Sequence, residues 1–312
     1  MKNRIRAYAI SQGFDLVGFS STRLETKHLL AFNAWLKKGY EGSMTYMQKK
    51  ELRENILKLL PQAKSVISLA MNYYNKQSPL KKNHGRVARY AYGRDYHKII
   101  PKKLKAVEEF ITSIAPHATT KAYVDTGPVL ERAYAEQSGL GFIGKNTCLI
   151  TPQLGSWVFL AEIITTLPLI PDQKLLNTPK PFAACGGCRK CIDACPTKAI
   201  VAPGVIDATK CISYLTIENR NEIPKPLAKI IKKTRLLYGC DICQEVCPFN
   251  SKAKPTPHKE LLVPKIAGDQ LAISAVLSIK TAPNFIKLFA GSPLTRAKHA
   301  GLQRNAAVLT KR

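Results

Sequence analysis

Residues 185–196 read CGGCRKCIDACP, and this stretch decides the fold of the chain around it. Its cysteines and proline form a complete C-x2-C-x2-C-x3-C-P run, which is typical of proteins that hold two 4Fe-4S clusters. In such proteins the first three cysteines of a run bind one cluster and the fourth crosses to the other. This run therefore predicts a second run elsewhere in the chain.

The second run lies at residues 236–248, LLYGCDICQEVCP, and it lacks its first cysteine. Leu237 stands where the opening cysteine is expected. Cys211 is the only cysteine between positions 185 and 247 that neither run uses, so we expect it to supply the missing ligand. The first predicted ligand set is Cys185, Cys188, Cys191 and Cys247. The second predicted set is Cys195, Cys211, Cys240 and Cys243.

Other uses of these cysteines fit the spacing less well. Zinc sites usually take paired C-x2-C knuckles, and a triplet followed by C-P is unusual for zinc. Disulfides are disfavoured by the cytoplasmic location that we expect, and a thioredoxin-like motif needs one cysteine pair only. Cys148, in the apolar run TCLIT, is predicted to be a buried core thiol.

The chain of 312 residues is strongly basic, with 48 Lys and Arg against 21 Asp and Glu and a net charge of +27. The excess is concentrated in residues 75–105, 224–235 and 252–312. Three basic stretches favour an extended polyanion, with nucleic acid the first candidate and a solvated basic surface the alternative. No apolar run approaches the ~18 residues of a membrane span, and the N-terminus has no signal-peptide core, so we expect a cytoplasmic protein without a membrane partner.

Residues 1 to about 175 alternate helical and strand patterns, which predicts an α/β domain with a central sheet and a pocket at its strand ends. The predicted helices are residues 4–14, 29–40, 101–115 and 129–139. The predicted strands are residues 16–20, 65–73, 121–125, 146–151 and 156–166. We expect three segments: an α/β domain at 1–178, a ferredoxin-like two-cluster domain at 179–255 and a short C-terminal helical segment at 256–312.

Two near-motifs are rejected on their context. Residues 139–144, GLGFIG, match G-x-G-x-x-G, and Glu162 lies near the offset of a ribose-binding acid. A dinucleotide site needs a strand before the glycines and a helix after them, and here that order is reversed. Residues 95–100, DYHKII, resemble a cobalamin-binding D-x-H-x-x-G with Ile100 in place of the glycine, so a helix-start Asp and a surface His are expected.

Asp125 is the candidate acid of the N-terminal domain. It follows an apolar strand in AYVDTGPVLER, where a carboxylate can face a cleft and donate a proton. The alternative is a helix-capping role for Asp125 or Thr126, and the pattern does not decide between the two.

Together, RYAYGRDYHK, VDTGPVLERAYAEQSGLGFIGKN, CGGCRKCIDACPTKAI, KCISYLTIE and YGCDICQEVCPFN resemble the epoxyqueuosine reductase family in the same order. The resemblance covers residues from about 5 to 255. It implies an oxidoreductase that reduces epoxyqueuosine to queuosine at the wobble position of tRNA, with two 4Fe-4S clusters and base-off cobalamin. It also implies a low-potential electron donor, and we expect a monomer.

The resemblance places functional roles on residues of this chain. Asp125 becomes the proton donor, a role that calls for a pKa raised by apolar burial. Cobalamin contacts fall on Arg53, Asp125 and Ser213, and on Cys240 and Asp241 beside the second cluster.

The C-terminal tail departs from the family pattern, because family members often continue into a longer helical-repeat domain. The tail is predicted to be one helix pair that carries Arg296, Lys298 and Arg304, so we expect the grip on tRNA to be reduced or moved to the other basic stretches. Two other functions stay open at this point. One is a cobalamin and iron-sulfur reductive dehalogenase-like enzyme that acts on a small molecule, and the other is a ferredoxin-like electron carrier without catalysis.

Overall fold

The computed structural model describes residues 1–175, 182–262 and 266–310. Its α-helices are α1 (Lys2–Ser11), α2 (Thr26–Lys37), α3 (Lys50–Glu54), α4 (Tyr96–Ile114), α5 (Glu131–Gln137), α6 (Lys190–Asp193), α7 (Ile212–Ile217), α8 (Lys225–Thr234), α9 (Ile242–Glu245), α10 (Ile273–Leu277), α11 (Ala282–Phe289) and α12 (Lys298–Thr310). Its strands are β1 (Leu16–Ser21), β2 (Ser65–Asn72), β3 (His84–Val87), β4 (Thr120–Tyr123), β5 (Phe142–Ile143), β6 (Leu149–Ile150), β7 (Val158–Thr165), β8 (Ile200–Ala202), β9 (Val205–Ile206), β10 (Leu236–Tyr238) and β11 (Gln270–Ala272).

The main sheet has the strand order β1-β2-β7-β4, and every pairing in it is antiparallel. Side chains alternate between its faces. Ile163 packs in the core under α1 and α4, whereas Ile164 packs under α5. All of β2 is buried, because helices cover both faces of the sheet. The mixed helix-and-sheet fold with a central sheet is confirmed.

The largest helix, α4, begins five residues earlier than the sequence predicts. The prediction places Pro101 at the helix start, where its missing N–H costs little. In the structure Asp95 caps the helix by accepting a hydrogen bond from the backbone N–H of His97 at 3.0 Å, and Pro101 lies inside α4. The earlier start brings Tyr96 and His97 into the first helical turn.

A second sheet of three strands joins distant parts of the chain in the order β10-β3-β11. β3 pairs in parallel with β10 and antiparallel with β11. Each of the three segments expected from the sequence contributes one strand. The predicted boundary between residues 178 and 179 lies outside the described residues.

The C-terminal helices pack against the cluster region. Asn305 on α12 is fully buried and donates hydrogen bonds to the carbonyls of Thr216 and Leu237 at 2.8 and 3.1 Å. Arg304 donates to the carbonyls of Leu215 and Asn219 at 2.7 and 2.8 Å. The guanidinium of Arg304 thus ties α12 to α7 and the loop after it.

In the described ranges, none of the helices combines the length and the apolar character that a membrane crossing requires.

Candidate active site

Two groups of thiols converge where α6 packs against α9. In the first group, burial and the neighbouring thiols of Cys185 and Cys247 raise the pKa of Cys191. Burial and the thiols of Cys185 and Cys188 likewise contribute to the raised pKa of Cys247. The structure thus brings together the four cysteines of the first predicted set.

The second group forms around the end of β10. Burial and the thiols of Cys211 and Cys195 raise the pKa of Cys240. Cys240 and Cys211 also add to the raised pKa of Cys243. Cys211 stands at the start of α7, which packs against β10, and this packing brings Cys211 to Cys240. The structure therefore places Cys211 where the incomplete second run lacks a ligand.

Leu237, at the position of the missing cysteine, packs in the core instead of facing the thiol groups. Its side chain is fully buried in the apolar core to which α12 contributes. Among the described residues, no three His, Cys, Asp or Glu side chains converge closely enough for a single metal ion. The fit to two clusters rests on the donor chemistry of eight free thiols in two groups.

Cys148, predicted to be a buried core thiol, lies beside the cysteine groups, next to Cys243 and near Cys247. The neighbouring thiol of Cys243 lowers the pKa of Cys148, and Cys148 in turn raises the pKa of Cys243. Cys148 is thus a second neighbour of Cys243, in addition to Cys211.

Asp125 lies at the centre of a hydrogen-bonded group that joins β4 to the start of α4. The Tyr96 hydroxyl donates to Oδ2 of Asp125 at 2.8 Å, and Nε2 of His97 lies 3.0 Å from the same oxygen. Nδ1 of His97 lies 2.8 Å from Oδ1 of Asp95. Asp125 does not cap α5, which begins at Glu131. The structure therefore does not support the capping role.

The protonation of this group differs from the expectation. Burial alone would lower the pKa of His97, but hydrogen bonds to Asp125 and Asp95 raise it to about 9. Burial alone would raise the pKa of Asp125, but the bonds and charge of His97 and the bond from Tyr96 lower it. The expected rise in the pKa of Asp125 is therefore wrong. At neutral pH the proton resides on His97.

The backbone at Asp125 adopts a left-handed conformation. Its φ is 53°, in a region that aspartate, asparagine and glycine occupy more readily than other residues. The Asp125 N–H donates to Oε1 of Glu131 at 2.5 Å. A contact with Glu131, the first residue of α5, therefore holds this backbone conformation in place.

Arg53 is a buried charge that lacks a partner. The residue is 5% exposed, yet its guanidinium makes no hydrogen bond or ion pair within the described ranges. Burial lowers the pKa of Arg53, and the nearest charged groups include Tyr46 and Glu131. In the part of the chain that the structure describes, none of its nitrogens is both sealed from solvent and without a partner, so the guanidinium keeps donors that can reach a ligand with hydrogen-bond acceptors.

The remaining predicted cofactor contacts lie beside the second thiol group. Ser213 is partly exposed in the first turn of α7, two residues after Cys211. Asp241 is buried, and its Oδ2 accepts from the backbone N–H of Arg89 at 2.8 Å. Burial raises the pKa of Asp241 to about 6 against the opposing effect of Arg89. Its carboxylate is therefore already bound within the protein.

Sequence reasoning missed Tyr96 and His97, which it treated as part of a broken motif, and also Glu131. Arg296 was assigned to the tail, yet it lies close enough to Asp125 to affect its charge. Its guanidinium bonds Glu218 at 2.8 Å, stacks over Tyr46 at 5.9 Å and helps to lower the pKa of Asp125. The signal that could have identified His97 is the Asp95 cap, which fixes its place in the helix.

Two family profiles match the chain. The profile described as "Epoxyqueuosine reductase QueG, DUF1730" matches residues 53–126, which include Arg53, Tyr96, His97 and Asp125. The profile described as "4Fe-4S double cluster binding domain" matches residues 184–250, which contain all eight cysteines of the two groups.

Relatives match over almost the whole chain. The epoxyqueuosine reductase of Gloeobacter violaceus is 41% identical over 308 residues, which cover 97% of this chain and 93% of the relative. A crystal structure of epoxyqueuosine reductase with an epoxyqueuosine-modified tRNA-Tyr stem loop superposes with a TM-score of 0.87 at 33% identity, covering 99% of this chain and 80% of that one. The Bacillus subtilis enzyme, described with its catalytic aspartate loop swung out of the active site, gives a TM-score of 0.86 at 32% identity over the same shares. This chain belongs to the epoxyqueuosine reductase family and is an oxidoreductase.

Proposed function

We propose that this protein reduces epoxyqueuosine to queuosine at the wobble position of tRNA, using two 4Fe-4S clusters and cobalamin. The observation that carries the proposal is the Asp125, His97 and Tyr96 group, which lies in the part of the fold shared with relatives named for this reaction. Buried, unpaired Arg53 near the same group supports a bound cofactor there.

The reaction consumes two electrons and two protons. The epoxide oxygen takes both protons and leaves as water, and a carbon–carbon double bond forms in its place. When bound, the clusters supply single electrons and the corrinoid delivers reducing power to the strained ring. The protein positions the substrate and supplies the protons.

Asp125 and His97 together form the acid in this proposal. Both hydrogen bonds to Asp125 fall on Oδ2, and among the described residues none donates to Oδ1, so Oδ1 can face the epoxide. His97 protonates Oδ2 of Asp125, and rotation of the carboxyl group about its Cβ–Cγ bond then brings that proton to the leaving oxygen. Tyr96 holds the carboxyl group beside His97 before the proton is transferred.

The thiol groups define the proposed cluster ligands. The first cluster takes Cys185, Cys188, Cys191 and Cys247. The second takes Cys195, Cys211, Cys240 and Cys243. Arg53 and Ser213 would contact the corrinoid by their side chains, whereas Cys240 and Asp241 would contribute their main chain, since Arg89 holds the Asp241 carboxylate. Residues 1–178 would bind cobalamin and substrate, and residues 179–255 would bind the clusters. Residues 256–312 would pack against the cluster region.

The proposed cellular setting follows from the substrate. A tRNA-modifying reductase works in the cytoplasm, and we propose a monomer that receives electrons from a low-potential donor. The exposed lysines of α8, at positions 225, 229 and 233, repeat every four residues and form a basic row suited to phosphates.

The His97 proton predicts an alkaline limit to activity. We expect kcat/KM to fall as pH rises through about 9, because His97 then loses the proton that Asp125 passes on. His97→Gln should move this limit to lower pH, since Asp125 must then hold the proton itself. The measurement is the initial rate of queuosine formation across pH. An unchanged limit in His97→Gln would remove His97 from the proton path.

The lysine row predicts a salt effect on tRNA binding. Replacing Lys225, Lys229 and Lys233 with Gln should weaken binding and flatten the plot of log affinity against log salt by about 2 units, at ~0.7 to 0.9 for each phosphate that the variant no longer neutralises. The control replaces exposed Lys37, Lys38 and Lys64, which lie outside the three basic stretches. An equal change in both triple variants would assign the effect to net charge alone.

An anaerobic turnover assay tests the proposed function directly. Reconstituted protein, a low-potential reductant and epoxyqueuosine-containing tRNA are combined with and without cobalamin, and nucleosides are analysed by mass spectrometry. We expect queuosine only when cobalamin is present. Intact clusters and bound cobalamin without product would overturn the assigned substrate, and failure to bind cobalamin would overturn the assigned cofactor.

A further inference from the structure

Glu162 on β7 is a fully buried carboxyl group that the proposed chemistry does not use. Neither of its oxygens receives a hydrogen bond from an N–H or O–H donor in the described part of the chain. Like Ile164 two residues later, it points to the sheet face that α5 covers. An ionised carboxylate without a donor is costly in such a place, so Glu162 must hold or share a proton.

The neighbour that can share this proton is Glu131, the first residue of α5. Burial, together with the neighbouring carboxyl group of Glu131, raises the pKa of Glu162. Burial and the charge of Asp125 also raise the pKa of Glu131. Two carboxyl groups can hydrogen-bond to each other only when one of them is protonated. Glu162, the more deeply buried of the two, is the natural donor.

Glu131 in turn holds the backbone of the Asp125 loop, which we define as residues 124–130. Its Oε1 accepts the N–H of Asp125 at 2.5 Å. Across the sheet, Glu162 pairs with Tyr123, the last residue before this loop. The two carboxyl groups thus connect the main sheet to the point where Asp125 adopts its left-handed backbone conformation.

We propose that protonated Glu162 donates a hydrogen bond to Glu131, and that this carboxyl pair positions the Asp125 loop so that Asp125 meets Tyr96 and His97. The inference rests on the proposed function for the role of Asp125. The Bacillus subtilis relative, described with its catalytic aspartate loop swung out, indicates that a loop of this kind has more than one position. Glu131 and Glu162 are positioning residues, without contact to the reacting atoms.

The charges around the pair explain how it would respond to pH. The groups that face it are Asp125, Arg53, Tyr96, Arg132 and Tyr134. The two arginines stabilise one negative charge on Glu131. Loss of the proton from Glu162 would add a second negative charge beside Glu131 and Asp125. Repulsion would then release the loop, so alkaline pH should favour its outward position.

Amide hydrogen exchange of the segment 123–130, from neutral to alkaline pH, tests the proposal without cofactor or tRNA. After correction for intrinsic exchange, we expect the wild-type segment to lose protection as pH rises. Glu162→Gln should keep its protection throughout, because the amide is a permanent donor to Glu131. Glu131→Ala should be unprotected at every pH, and Glu131→Gln should restore protection, because its amide oxygen still accepts the Asp125 N–H.

Turnover supplies a second readout. Glu131→Ala should lower kcat by about tenfold or more with a smaller change in KM, because the acid is misplaced and the substrate surface is intact. The proposal is overturned if Glu162→Gln loses protection in parallel with the wild type, or if folded Glu131→Ala stays protected. Should Glu131→Ala fail to fold, the comparison of Glu162→Gln with the wild type decides alone. The exchange result stands even if the assigned substrate is wrong.

Discussion

Cys211→Ala is expected to lose the second cluster, so that reconstituted protein holds about four iron atoms instead of about eight. Cys211 lies beside Cys240 and Cys243, and no other cysteine of the region is left over from the two runs. Turnover should stop as well, because electrons then lack one step of their path. Iron and acid-labile sulfide analysis, together with electron paramagnetic resonance of the reduced protein, measures the loss.

Cys148 provides the matched control for this experiment. Its thiol also lies beside Cys243, so it is the structural rival for the fourth ligand. Cys148→Ala should keep both clusters and most of its turnover, since Cys195, Cys211, Cys240 and Cys243 complete the set without it. If Cys148→Ala lost a cluster and Cys211→Ala kept both, the ligand assignment would pass to Cys148.

The grouping of the thiols could be predicted because ferredoxin runs encode it locally. The spacing within CGGCRKCIDACP determines which three thiols lie together. The rule that the fourth cysteine of each run binds the other cluster then assigns Cys195 and Cys247. The position of Cys148 could not be predicted in this way. It depends on how the turn between β5 and β6 folds back to Cys243, an approach over 95 residues of sequence that no spacing rule covers.

The partners of Asp125, in contrast, could not be predicted from local spacing. Asp125 could be chosen from its place after an apolar strand, but its partners come from the start of α4, which was predicted five residues too late. The Asp95 cap determines that start, and it outweighs the preference of Pro101 for the first turn. Without His97 beside it, the pKa of Asp125 was predicted in the wrong direction.

The second sheet, β10-β3-β11, could not be predicted from the sequence either. Its strands contain only three or four residues each and pair across 150 residues or more of sequence, as in Leu236 with Arg86. Strands this short carry too few alternating positions to be recognised. Burial of β10 beneath α12 depends on packing that forms only in the folded chain.

Asp125→Asn is expected to lower kcat by about 10² to 10⁴-fold, the usual contribution of a positioned acid. The asparagine has nearly the same shape and can still accept the bond from Tyr96, so the loop should keep its position. It cannot pass a proton from His97 to the departing oxygen. Single-turnover formation of queuosine, with clusters and cobalamin quantified in the same sample, measures the effect.

Asp95→Asn is the matched control for Asp125→Asn, because it makes the same change on the other side of His97. Asparagine still caps α4 and still accepts from the imidazole, so its loss of turnover should be much smaller. The cluster and cobalamin contents of both variants should equal those of the wild type. Full activity of Asp125→Asn would mean that His97 or Tyr96 reaches the epoxide oxygen directly. Equal losses in both variants would mean that the charge around His97, and not a proton passed through Asp125, controls the rate.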